Sequence, residues 1–110
     1  MTNERAAAVQ DLSDKEVLVQ VSKLAARYVE QNQQEIDEHK NAIAFHQSLI
    51  DSGIADDGGV ALAYIKQHRT QIAGCEMTIE FYQGLLADCL AANVGAARHW
   101  LEYHYGCLNE

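Results

Sequence analysis

Residues 65–86 read IKQHRTQIAGCEMTIEFYQGLL, and an aliphatic residue recurs in this stretch at every seventh position. His68, Cys75 and Tyr82 each follow one of these aliphatic residues after three positions. This spacing places both sets on one side of an α-helix and is the heptad pattern of helices that pack together. A shorter copy of the pattern in residues 36–50 predicts a second helix of the same kind. We call the aliphatic residues that are expected in the core or at a dimer contact the heptad seam; they are Ile36, Ile43, Ile65, Ile72, Ile79 and Leu86.

The sequence predicts an all-α protein of one domain, a long antiparallel helical hairpin followed by a short C-terminal helix. The chain contains no proline, which would interrupt a helix. Ser13 and Glu16 have the spacing of a capping box and mark a helix start. The glycines after residue 52 mark a loop. The predicted segments are a flexible N-terminus at 1–12, helices at 13–52, 60–92 and 96–106, and a loop at 53–59.

The predicted first helix is long for so small a chain. At about 1.5 Å of rise per residue it would extend over about 58 Å. A compact domain of this size has a radius of gyration of only about 13 Å. We therefore expect a homodimer, in which two hairpins form a four-helix bundle and bury the apolar surface that one chain leaves uncovered.

The charge of the chain limits its partners. Sixteen acidic residues against eight basic ones give a formal net charge of −8 at pH 7. The basic residues are scattered among acidic ones, so we expect neither nucleic-acid nor membrane binding, and a protein partner with a basic surface fits better. Three cysteines without a Cys-x-x-Cys pair, and no apolar run of membrane-spanning length, favour a cytoplasmic protein with reduced thiols.

No motif predicts catalysis, a metal site or a cofactor. The Glu-x-x-His pairs of di-iron bundles are missing. A hairpin that closes near Ala55 pairs positions whose numbers sum to about 110, which places His46 near Tyr64 and His68 near Ala42. This register forces no two of these histidines together within one chain, and we expect seam histidines whose ring nitrogens hydrogen-bond across the interface. The nearest approach to a metal site is a partial one, formed by His39, Cys75 and an acid such as Glu35 or Glu76.

The last predicted helix holds the densest group of aromatic residues. Tyrosine, tryptophan and arginine contribute most of the binding energy at protein interfaces. Such residues are equally typical of a core, and half of the stretch must pack on the hairpin. The other half is a candidate contact surface, for which we predict partner contacts at Arg98, Trp100, Glu102 and Tyr103.

The most direct functional prediction is a small acidic binding module that is not an enzyme and acts by occupying a partner's surface. Its size, acidity and helical content are shared with phage-type inhibitors of host defence systems, such as anti-CRISPR proteins, although no motif supports that likeness. The alternatives are a helix-bundle metal-binding protein that uses histidine, glutamate and cysteine, and a bacterial adaptor or chaperone for a basic client.

Overall fold

The computed structural model describes residues 8–54 and 59–108, and within them the chain is helical without any strand. A 3₁₀ helix, Val9–Asp11, precedes α1 (Asp14–Asp51), α2 (Val60–Leu90) and α3 (Val94–Leu108). The predicted all-α fold, with α1 and α2 packed as a hairpin and a short C-terminal helix after them, is confirmed. None of the helices in these two ranges has the long apolar stretch that crossing a bilayer requires.

The predicted capping box begins α1. The backbone N–H of Glu16 donates to Ser13 Oγ at 3.1 Å, and Glu16 Oε1 accepts from the backbone N–H of Ser13 at 3.3 Å. The helix continues without a break through the polar residues 30–35 and ends at Asp51. Gly53 follows with φ of 76°, a left-handed conformation that suits glycine.

The turn between α2 and α3 lies earlier than predicted. Helix α2 ends at Leu90 rather than residue 92, because Ala92 takes a left-handed φ of 58°. The N–H of Asn93 donates to the carbonyl of Asp88 at 2.8 Å, and that of Ala92 to Cys89 at 3.1 Å, the paired bonds of a Schellman motif. Helix α3 then begins at Val94, two residues before the predicted start, since Asn93 Oδ1 accepts from the N–H of Ala96.

Residues 8–12 of the N-terminal segment that was predicted to be flexible make defined contacts, while residues 1–7 lie outside the described part of the chain, as do residues 55–58 of the loop. Val9 is completely buried. Both Nη atoms of Arg98 donate to this segment, Nη1 to the carbonyl of Val9 and Nη2 to that of Leu12 at 3.0 Å. Arg98 Nη2 also forms an ion pair of 3.1 Å with Asp14. The guanidinium thus holds the 3₁₀ helix in place.

Contacts divide the chain into two compact units. Unit 1 combines Met1–Tyr28 with Phe81–Glu110, and unit 2 is Val29–Glu80. The apolar core of unit 1 brings together side chains from the 3₁₀ helix, α1, α2 and α3. Its buried members are Val9, Val17, Val21, Ala25, Leu85, Cys89, Ala97 and Leu101.

The heptad seam of unit 2 is buried unevenly. Ile36 and Ile65 are buried, with exposed fractions of 4% and 3%. Ile43, Ile72 and Ile79 are only half-buried. The seventh-residue positions of unit 2 are therefore all buried or half-buried. Association of two copies along the half-buried part of the seam stays a prediction. The remaining seam residue, Leu86, is half-buried against the core of unit 1.

Candidate functional site

Unit 2 exposes large apolar side chains where α1 ends and α2 begins. Phe45, Val60 and Tyr64 have exposed fractions of 59%, 61% and 48%. The His46 ring stacks on Tyr64 at a centroid distance of 5.0 Å and meets Phe45 edge-on at 5.4 Å. Val60 and Tyr64 are four residues apart and so share one side of α2. We call these four residues the hairpin-end patch. Exposed apolar patches of this kind are typical of binding surfaces.

The same unit carries most of the negative charge of the protein. Residues 29–80 include nine acidic and three basic residues, a net charge of −6, whereas the two segments of unit 1 carry the other −2. The acidic side chains that the structure describes in unit 2 all belong to exposed residues. They are Glu30, Glu35, Asp37, Glu38, Asp51, Glu76 and Glu80. Unit 2 therefore combines an apolar patch with an acidic surface.

Three histidines form a row along the hairpin, and the rings of two of them share a hydrogen bond across it. Nδ1 of His39 lies 2.9 Å from Nδ1 of His68. The His68 ring also lies near His46, at a centroid distance of 6.0 Å. The predicted proximity of His46 and Tyr64 is confirmed. Positions 39 and 46 lie about one helical turn to either side of position 42, which was predicted to face His68, so both rings are within reach of the His68 ring.

Cys75 and Glu35 meet farther along the hairpin. Cys75 Sγ donates to Glu35 Oε2 at 3.4 Å. Burial, this hydrogen bond and the negative charge of Glu35 all raise the pKa of the Cys75 thiol, which therefore stays protonated. The partial metal site predicted from His39, Cys75 and Glu35 is thus divided, since His39 contacts His68. Within residues 8–54 and 59–108 no group of three or more His, Cys, Asp or Glu side chains is arranged to hold a metal ion.

The four predicted partner contacts have different surroundings in unit 1. Arg98 holds the 3₁₀ helix, and Glu102 accepts a hydrogen bond from Gln10 Nε2. Trp100 is half-buried and stacks on His104 at 4.9 Å. Tyr103 is 68% exposed. Of the four side chains, that of Tyr103 presents most of its surface to solvent, and a role for the set in partner binding stays a prediction.

Trp100 belongs to a ring cluster that the sequence did not predict. Tyr28 stacks on Tyr82 at 4.9 Å, and Tyr82 meets Trp100 edge-on at 5.9 Å. Burial, with a smaller contribution from Tyr28, raises the pKa of Tyr82. Burial also lowers the pKa of His104. Both shifts favour the neutral form, as expected for rings that stabilise unit 1 by packing.

Comparison with known proteins identifies no relative: no family model matches the chain, and neither a curated protein nor a solved structure resembles it significantly. The hairpin-end patch was missed because Phe45 lies outside the seventh-residue pattern of residues 36–50. Val60 and Tyr64, four residues apart at the start of α2, were the available signal.

Proposed function

We propose that this protein is a binding module, not an enzyme, that occupies the surface of a basic partner protein through unit 2. The exposure of Phe45, Val60 and Tyr64, with Phe45 and Tyr64 both in contact with His46, is the observation that carries the proposal. Aromatic side chains are enriched at the centres of interfaces, where they contribute much of the binding energy. A partner that covers the patch removes this apolar surface from water, which favours association.

The charge of unit 2 supports a basic partner. A surface of net charge −6 attracts a positively charged protein over a Debye length of about 8 Å at physiological ionic strength. Such complementarity mainly accelerates encounter, while the apolar contact slows dissociation. An inhibitor of a host defence complex, of the anti-CRISPR kind, acts in this manner, and so does an adaptor for a basic client.

In the test, the immobilised protein first captures a partner from a bacterial lysate. The captured partner is then purified, and its binding to the wild type and to the variants is measured. Phe45→Ser and Tyr64→Ser should each weaken binding at least about tenfold, mainly through faster dissociation. Val19→Ser is the matched control, since Val19 is 44% exposed but belongs to unit 1. Circular dichroism checks that each variant keeps its helicity.

The second arm measures association rates. The paired change Glu30→Gln with Glu38→Gln should slow association at low salt and have little effect at high salt. A partner that binds wild type and both patch variants equally would refute the hairpin-end patch as the contact surface. An association rate that is indifferent to salt and to both glutamate changes would refute the electrostatic part.

A further inference from the structure

We propose that His39 and His68 form a binding site for a divalent transition-metal ion, with Cu²⁺ the preferred ion. The two Nδ1 atoms face each other across the hairpin at 2.9 Å. Each ring belongs to a different helix of unit 2, so an ion bound to both would link α1 to α2. This proposal is independent of the proposed partner binding, which does not use either ring.

The separation of the nitrogens indicates which coordination geometry fits. Imidazole nitrogens bind such metals at about 2.0–2.1 Å. Two nitrogens at a right angle around the ion are then about 2.9 Å apart, whereas a tetrahedral angle separates them by about 3.3 Å. The observed distance therefore matches neighbouring positions of a square-planar or octahedral ion. Cu²⁺ and Ni²⁺ favour that geometry, and Cu²⁺ binds nitrogen ligands more tightly.

The protonation of the rings permits binding. A neutral imidazole carries one proton and one lone pair, so the present contact needs Nδ1–H on one ring and a lone pair on the other. When that proton moves to Nε2 of its own ring, both Nδ1 lone pairs point to the space between the rings. No proton is released, and the hydrogen bond is exchanged for two metal–nitrogen bonds.

The surroundings leave room for an open site. His39 and His68 are both half-buried, so an ion can reach them from solvent. No third protein ligand completes the set among the described residues, and water would fill the other positions. His46 adds a further ring 6.0 Å from His68, but it stacks on Tyr64. The arrangement is that of a two-histidine site.

The experiment titrates the full chain with Cu²⁺ and records electron paramagnetic resonance spectra. The wild type should bind one ion tightly and show splitting from two nitrogens. His39→Gln and His68→Gln should each weaken that binding at least about tenfold, and the residual signal should lose one nitrogen. His99→Gln is the matched control, because His99 is exposed and belongs to unit 1.

Two results would overturn the proposal. Equal affinity for Cu²⁺ in the wild type and in either the His39→Gln or the His68→Gln variant would mean adventitious binding to exposed groups. A wild-type spectrum without two imidazole nitrogens would do so even if both variants failed to fold, since it needs no substitution. Ni²⁺ provides the second probe and should compete for the same site with lower affinity.

Discussion

Replacing Gly74 and Gly84 with alanine should stabilise the protein. Both glycines lie inside α2, where glycine is less favourable than alanine by about 0.8–1.0 kcal/mol. A methyl group on either α-carbon would meet no side chain and no neighbouring element of the described chain within 4 Å. No steric penalty within the described chain therefore offsets the gain.

The size of the effect follows from the helix propensity alone. The two positions are ten residues apart, or about 15 Å along the helix, so their effects should add. The double variant should then gain about 2 kcal/mol in the free energy of unfolding. For a chain of this size that corresponds to a rise of about 8 °C in Tm.

Urea unfolding followed by circular dichroism measures this gain. The slope of the unfolding free energy against urea concentration should stay unchanged. Gly53→Ala is the control. Its φ of 76° strains alanine, so this variant should lose stability by about 1 kcal/mol. Unchanged or reduced stability in both helix variants would refute the conclusion that the outer side of α2 is open. Light scattering would then show whether a second copy covers it.

Two further predictions concern unit 1. Ala92→Gly should raise the free energy of unfolding by about 1 kcal/mol, because a left-handed φ penalises alanine and not glycine. The midpoint of urea unfolding measures this gain. A lower midpoint would contradict the Schellman assignment. The protein should lose stability as pH falls from about 6.5 through the lowered pKa of His104. The reason is that the unfolded chain binds the proton at a higher pH than the folded chain does, so the contribution of His104 to stability is fully present above that range. Thermal unfolding at pH 7.5 and 5.0 measures this loss, and His104→Gln should reduce it; an equal loss in that variant would assign the effect to other groups.

The fold was largely predictable, because helical periodicity and capping are local properties of the sequence. The repeat from Ile65 and the capping box at Ser13 determined the helices and their inward sides. The end of α2 was not predictable in the same way. Ala92 is a good helix former, and its left-handed conformation depends on the bonds of Asn93 to the preceding turn.

The candidate sites depended on details that no pattern encodes. The hairpin register predicted that Tyr64 lies beside His46, but the contact between His39 and His68 depends on rings that reach one turn along the neighbouring helix. Arg98 is a further example. An arginine among aromatic residues is typical of an interface, and only the folded chain shows that its donors go to carbonyls 86 and 89 residues away.

Unit 1 is built from both ends of the chain, and this imposes an order on folding during synthesis. Unit 2 comes from one continuous stretch, residues 29–80, which is synthesised before the last helix. Arg98 can reach the carbonyls of Val9 and Leu12 only after nearly all of the chain has been made. Closing that long loop is entropically unfavourable until the hairpin has brought its ends together. We therefore expect the N-terminal segment to be the last part of the protein to find its place, and a chain truncated before residue 98 to form a hairpin whose N-terminal residues remain open to proteases.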